Sequence, residues 1–326
     1  MSGRPVLEVE GLHVWFELDG GRELHAVRGV DLALEGGERL GLVGESGCGK
    51  TTTILAVMGL LPPNASVAGR VLLDGEDVLA RGERSARPHR WRDVAMVFQG
   101  AMNAFNPVQR IGDQIAEPME LHGIAEGKQA RRRAAELLER VGIPPARASR
   151  YPHEFSGGMR QRAAIAMALA CNPKVLLADE PTTALDVMVQ AQILEVLTAL
   201  ADDFRLAVVL VTHDLPVVAQ VCSRAAVMYA GEIVETGPVD ALYHEPRHPY
   251  TRLLYAATPE LHGAGELASI PGTPPRLDRP MAGCPFRPRC DSAFAPCAEV
   301  HPPLDAVGAG RAAACHLNTA AREVPA

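Results

Sequence analysis

Apolar positions along the chain fall into short runs, and their spacing predicts most of the elements. Residues 7–18 (LEVEGLHVWFEL) mix β-branched and aromatic residues with charges, as a pair of antiparallel strands does, and residues 30–34 read as a further strand. Residues 38–43, 94–98, 174–179 and 206–212 are continuous apolar runs of buried-strand length. Helical periodicity covers residues 51–61, closed by Pro62 and Pro63, and then 111–123, 128–141, 157–171 and 187–200. Residues 144–151 read as a loop, and Arg131, Arg132 and Arg133 as a solvated helix face. Strands alternating with helices predict parallel βαβ units in a three-layer α/β domain, with a mostly helical block from about 101 to 165 inserted between strands.

Beyond Gly237 the pattern weakens. Nine prolines between Pro271 and Pro303 exclude regular helix or central strand there, and four of the seven cysteines lie in or just past this stretch. A boundary is expected near 240: a domain over 1–240 and a loop-rich extension over 241–326.

Composition changes this picture only at the margins. A chain of 326 residues with 47% hydrophobic and 22% charged residues has the make-up of a water-soluble globular protein, and 4% aromatics means a core of Val, Leu, Ile and Ala. The net charge of −7 argues against nucleic acid as a partner. No apolar run approaches the ~18 residues that cross a bilayer, and the N-terminus has no secretory-type apolar core, so a cytosolic chain with reduced cysteines is expected.

The chemistry starts after the run 38–43. Gly44-Glu45-Ser46-Gly47-Cys48-Gly49-Lys50-Thr51 fits G-x-x-x-x-G-K-[ST] between a predicted strand and a predicted helix. Glycines let backbone N–H groups turn inward around phosphates, and the helix N-terminus adds partial positive charge. Lys50 is placed to neutralise β- and γ-phosphate oxygens, and the Thr51 hydroxyl to ligate Mg²⁺. The alternative is a chance glycine-rich turn. A second apolar run, KVLLAD, ends in Asp179, a candidate Mg²⁺ ligand, followed by Glu180, a candidate for polarising the attacking water. The bland alternative is a polar Asp-Glu-Pro turn.

Phe155-Ser156-Gly157-Gly158-Met159-Arg160-Gln161-Arg162 resembles the signature motif of ABC-transporter ATPases. Further motifs of that family follow in its order: Gln99 resembles the Q-loop glutamine, Ala184-Leu185-Asp186 the D-loop, and His213 the switch histidine. Phe16 lies where the family places an aromatic against adenine, although it could equally be a core aromatic. The resemblance covers about residues 5–240. It implies a P-loop ATPase fold with an antiparallel β subdomain and an inserted helical subdomain. It also implies ATP and Mg²⁺ as cofactors, Thr52 beside Thr51 in the ATP site, and Gln99 near the Mg²⁺. Two such subunits would sandwich ATP head to tail, Ser156, Gly157, Gly158 and Asp186 facing the partner's phosphate loop. Met159 replaces a glutamine often found in the motif, and Cys48 a serine or alanine; a thiol at 48 would either fill a tight loop or make the site sensitive to alkylation.

The extension narrows the resemblance. Pro246-Arg247-His248-Pro249-Tyr250-Thr251 and Pro271-Gly272-Thr273-Pro274-Pro275 resemble the tail of ATP-binding subunits from oligopeptide and dipeptide importers, with nickel importers close by. Cys284, Cys290, Cys297 and Cys315 belong to the same resemblance, which implies a [4Fe–4S] cluster. The spacing C-x5-C-x6-C-x17-C suits four thiolates stapling a proline-rich segment, but zinc completed by His301 or His316, or free thiols, stay open. The implied partners are two transmembrane permease subunits, a second ATPase (a sister chain or the same chain) and an extracytoplasmic solute-binding protein, with this chain on the cytoplasmic face of the membrane. Rival classes are a soluble ABC ATPase of DNA repair or translation, which would bring a coiled-coil insertion or a second cassette, and a GTPase, which would need an Asn-Lys-x-Asp motif; the chain shows neither.

Overall fold

A computed structural model describes residues 4–100, 104–183, 185–258, 269–308 and 310–320. Its strands are β1 (Leu7–Leu18), β2 (Arg22–Leu34), β3 (Arg39–Val43), β4 (Ala65–Leu73), β5 (Glu76–Asp77), β6 (Val94–Val97), β7 (Val175–Asp179), β8 (Ala207–Thr212), β9 (Arg224–Tyr229), β10 (Glu232–Pro238), β11 (Asp305–Gly308) and β12 (Arg311–Ala313). The chain divides into two compact units, one of Met1–Glu8, Ala33–Arg39 and Val71–Val211, the other of Val9–Leu32, Leu40–Arg70 and Thr212–Ala326.

In the first unit β6, β7 and β8 run parallel, Val97 opposite Ala178 and Asp179 opposite Val211. Every residue of these three strands is buried. That is the environment parallel strands need, and it explains their unbroken apolar runs. In this unit the helices Ile111–Leu121, Gly127–Arg140 and Gly157–Ala168 lie between β6 and β7 in the chain, and Val187–Phe204 between β7 and β8. Helix Gly127–Arg140 turns Ala130, Ala134, Leu137 and Leu138 inward, while exposed Arg131 pairs with Asp113 at 2.9 Å. The segment expected as a loop, 144–151, instead contains a 3₁₀ turn at Pro145–Ser149, for which Pro145 presets the backbone.

In the second unit β9 lies between parallel β3 and antiparallel β10, and β10 continues through β12 to β11. Helix Leu215–Val221 presses on β3 at Gly41, where a Cβ would stand 2.5 Å from Val218 Cγ1. The region after Gly237 holds more structure than its prolines suggest: helices Val239–His244 and Pro249–Ala256, a 3₁₀ turn Arg287–Arg289, and the proline-free strand pair β11 and β12. Residues 7–18 form the single strand β1 rather than a strand pair. Gly11 takes a left-handed φ of 51°, yet the strand runs on through it, its N–H held by the Asp31 carboxylate at 2.7 Å.

Candidate functional site

In the second unit β3 runs into the glycine loop and then into helix Lys50–Val57. Two glycines are dictated by space as well as by φ. At Gly44 (φ 148°) a Cβ would meet the Met228 carbonyl at 2.1 Å, and at Gly49 (φ 108°) the Ala26 carbonyl at 2.6 Å. Gly49 is the N-cap and makes no side-chain cap hydrogen bond, and a helix N-terminus of this kind carries the partial positive charge that suits an anion. Lys50 is buried, and its Nζ donates to the carbonyls of Gly44 (2.7 Å) and Glu45 (3.0 Å), so the ammonium sits inside the curl of the loop. Thr51 is exposed and Thr52 half-buried at the helix start. Cys48 is buried with Sγ 3.8 Å from Lys50 Nζ, and burial pushes its thiol up despite the lysine. A protonated, enclosed thiol is a packing group, which argues against alkylation sensitivity.

Phe16 is half-buried near the end of β1. Beside it Trp15 stacks on His25 (4.6 Å between centroids) and on His13 (5.3 Å), a platform that the sequence reading missed. Burial lowers the His25 pKa to about 4, with Arg28 and His13 adding to the effect. His213 is exposed just before Asp214, which caps helix Leu215–Val221 by accepting from Val217 N–H at 3.4 Å.

In the first unit the ends of adjacent strands bring predicted residues together. Asp179 closes β7 and is 2% exposed. Glu180 follows with a left-handed φ of 44°, its N–H donating to the Val211 carbonyl at 2.9 Å. Its Oε2 accepts from Gln99 Nε2 at 2.8 Å and from the Thr183 hydroxyl at 2.9 Å. Gln99 reaches it because β6 and β7 are neighbours in register. Thr183 was not singled out from sequence; a hydroxyl three residues past the acid in Glu-Pro-Thr-Thr was its signal.

Ser156 caps helix Gly157–Ala168, its Oγ accepting from Met159 N–H at 3.3 Å. Gly158 lies against helix Val187–Phe204, where a Cβ would stand 2.5 Å from Val189 Cγ1. Asp186 caps that second helix by accepting from Val189 N–H at 2.9 Å. Ala184 of the expected D-loop lies outside the described residues.

In the C-terminal region Cys284, Cys290, Cys297 and Cys315 line one small cavity with His248 and His316. Cys284 N–H donates to the Cys297 carbonyl at 2.9 Å. Burial pushes up the thiols of Cys284 and Cys290, and that of Cys315 to about 11, the other three cysteines adding to the rise at Cys315. Among the described residues no group of three His, Cys, Asp or Glu side chains is set closely enough to hold one metal ion, and no helix is long and apolar enough to cross a membrane.

Comparison with known proteins agrees with this geometry. Residues 27–183 match the ABC transporter family model, and residues 234–297 the model of the oligopeptide/dipeptide transporter C-terminal region. An oligopeptide transport ATP-binding protein of Bacillus subtilis is 48% identical over 305 residues, covering 92% of this chain and 85% of that protein. A dipeptide transport ATP-binding protein of the same organism is 48% identical over 303 residues, covering 91% and 90%. A solved dimeric ATP-binding cassette in a post-hydrolysis state with ADP and Pi is 28% identical, with a TM-score of 0.64 over 72% of this chain and 98% of that one. The chain therefore belongs to the ABC transporter family, has its α/β ATPase fold, and is an ATPase of that family.

Proposed function

We propose that this chain powers an importer of oligopeptides or dipeptides. The observation that carries the ATPase half of this reading is Lys50, buried inside a loop where neither Gly44 nor Gly49 admits a Cβ and whose helix has no side-chain cap. The peptide half rests on the match over residues 234–297 and on the names of the Bacillus subtilis relatives. The same tail is compatible with nickel or another solute.

The residue roles follow from chemistry. Backbone N–H groups of Gly44–Thr52 and the Lys50 ammonium hold the phosphates, and Phe16 stacks on adenine. Thr51, Asp179 and Gln99 offer the oxygen donors that Mg²⁺ prefers; the ion supplies charge neutralisation on the β- and γ-phosphates. Glu180 orients the attacking water and accepts its proton, and His213 contacts the γ-phosphate. Ser156, Gly157, Gly158 and Asp186 act on the nucleotide of a second ATPase subunit, the helix N-terminus behind Ser156 capping its γ-phosphate.

Residues 1–240 are taken as the ATP-binding domain, with the helical subdomain at about 101–165, and 241–326 as the extension. Cys284, Cys290, Cys297 and Cys315 are assigned a [4Fe–4S] cluster, a clamp on a segment rich in proline. The assignment rests on the likeness of the tail and on the four thiols lining one cavity, four being the number of cysteines such a cluster takes. The partners are two permease subunits, a second ATPase (a sister chain or the same chain) and an extracytoplasmic solute-binding protein, and the chain works at the cytoplasmic face of the membrane.

The test is co-purification from membranes followed by reconstitution. ATP hydrolysis stimulated by a peptide-loaded solute-binding protein supports the reading. Stimulation by DNA or ribosomes, with none from membrane subunits, overturns it. A brown protein with iron and sulfide in cluster stoichiometry supports the cluster; a colourless one with stoichiometric zinc removes it.

A further inference from the structure

Glu45, the second residue of the glycine loop, is held at three points. Its carbonyl accepts from Lys50 Nζ at 3.0 Å, its N–H donates to Tyr250 Oη at 2.8 Å, and its carboxylate is gripped by Arg289. The grip is bidentate, Nη1 to Oε2 at 2.6 Å and Nη2 to Oε1 at 2.9 Å. Tyr250 is fully buried on helix Pro249–Ala256, and the Arg289 side chain is 3% exposed on the turn Arg287–Arg289. Arg289 is itself fixed, its Nε donating to the Pro271 carbonyl at 2.7 Å and its guanidinium lying 5.8 Å and 5.9 Å from the centroids of Tyr229 and Phe286. Tyr229 in turn stacks tilted on Tyr250 at 4.6 Å. The arginine-bearing turn lies between Cys284 and Cys290, Arg287 N–H donating to the Cys284 carbonyl at 3.1 Å.

Two consequences follow from this geometry. A bare carboxylate in a loop that receives a polyphosphate would repel it, and a paired guanidinium cancels that charge. A residue fixed at both its N–H and its side chain also presents its carbonyl in one place, and that carbonyl is one of the two that seat Lys50.

We propose that Arg289 and Tyr250 are positioning residues for the phosphate loop: through Glu45 they set the loop and Lys50, and thereby make nucleotide affinity depend on the C-terminal region. This rests on the reading that the loop Gly44–Thr51 holds nucleotide. The experiment measures the affinity of a fluorescent ATP analogue, with Mg²⁺, for the full chain and its variants, beside the thermal unfolding midpoint of each. Arg289→Gln is expected to weaken binding about tenfold or more, since it strips a buried charge-assisted pair from the loop. Tyr250→Phe, which removes one hydroxyl and keeps the ring, is expected to weaken it about 2- to 12-fold. Adding Glu45→Gln to Arg289→Gln is expected to weaken binding less than the sum of the single effects, since both act on one pair. A folded Arg289→Gln and a folded Tyr250→Phe that both bind within about twofold of wild type, a difference too small for a lost hydrogen bond, while Lys50→Ala loses binding, would overturn the proposal and spare the phosphate-loop reading. Should Arg289→Gln not fold, Tyr250→Phe decides by the same criterion. Undiminished binding by Lys50→Ala would remove the reading beneath the proposal.

Discussion

Gln99 donates its side-chain amide to the Glu180 carboxylate across 2.8 Å, which joins the segment just past β6 to the acid after β7. Thr183 donates to the same oxygen at 2.9 Å. Gln99 and Thr183 thus both aim the carboxylate, and aiming is what a water-activating acid requires. Glu180→Gln should lower ATP turnover about 10²- to 10⁴-fold while leaving ATP binding intact, because it removes only the base. Steady-state hydrolysis together with equilibrium nucleotide binding checks this; near-normal turnover would remove the role assigned to Glu180.

Thr183 gives a sharper test of the same aim. Thr183→Val keeps the shape and deletes the donor. It should lower turnover by about 2- to 12-fold, the worth of one neutral hydrogen bond, with ATP affinity unchanged. Turnover equal to wild type would mean that the Thr183 hydroxyl does not orient the carboxylate.

Lys50→Ala should act on binding itself. The ammonium is buried within the loop, and without it the loop offers the phosphates only N–H dipoles. Nucleotide affinity should fall by about tenfold or more, as measured by equilibrium binding, with the unfolding midpoint little changed. Unaltered affinity would count against the loop as the phosphate site.

How much of this was legible in the sequence depends on how local the cause is. The glycine loop, Lys50, Asp179, Glu180 and Ser156 could be read because each follows from a short run of residues around a strand end or helix start. The buried strands β6, β7 and β8 were readable because burial on both faces leaves an unbroken apolar run. Strand β4 was not, since its first residues are largely exposed and carry no apolar period. Strands β9 and β10 were passed over because alanines at 225 and 226 are weak strand formers and the turn between the strands is only Ala230-Gly231. The clasp on Glu45 was out of reach for another reason. Arg289 lies 244 positions from Glu45, and no local pattern reports a pairing at that distance.

Gly158 tests whether the signature helix is held by packing. A Cβ there would overlap Val189 Cγ1 at 2.5 Å. Gly158→Ala should therefore destabilise by about 1–3 kcal/mol through overpacking. Val189→Ala in the same chain should return most of that loss, because the clash is between these two groups. Denaturant unfolding of the two variants decides; a single variant as stable as wild type would show that the helices separate at no cost.

His248 predicts the direction of acid sensitivity. The ring is buried, burial lowers its pKa from 6.5 to about 3, and its Nδ1 accepts from Tyr250 N–H at 3.0 Å. Between those two values the unfolded chain binds a proton that the folded chain refuses, so stability falls as pH falls, by at most about 1.4 kcal/mol per pH unit from this group. Above 6.5 both states hold a neutral ring and the contribution is flat. His248→Asn keeps an acceptor for the Tyr250 N–H and removes the titration. Its unfolding free energy, followed by denaturant titration from neutral pH downward, should lose less per pH unit than wild type. Identical acid slopes would show that His248 charges in place without disturbing the helix that carries Tyr250.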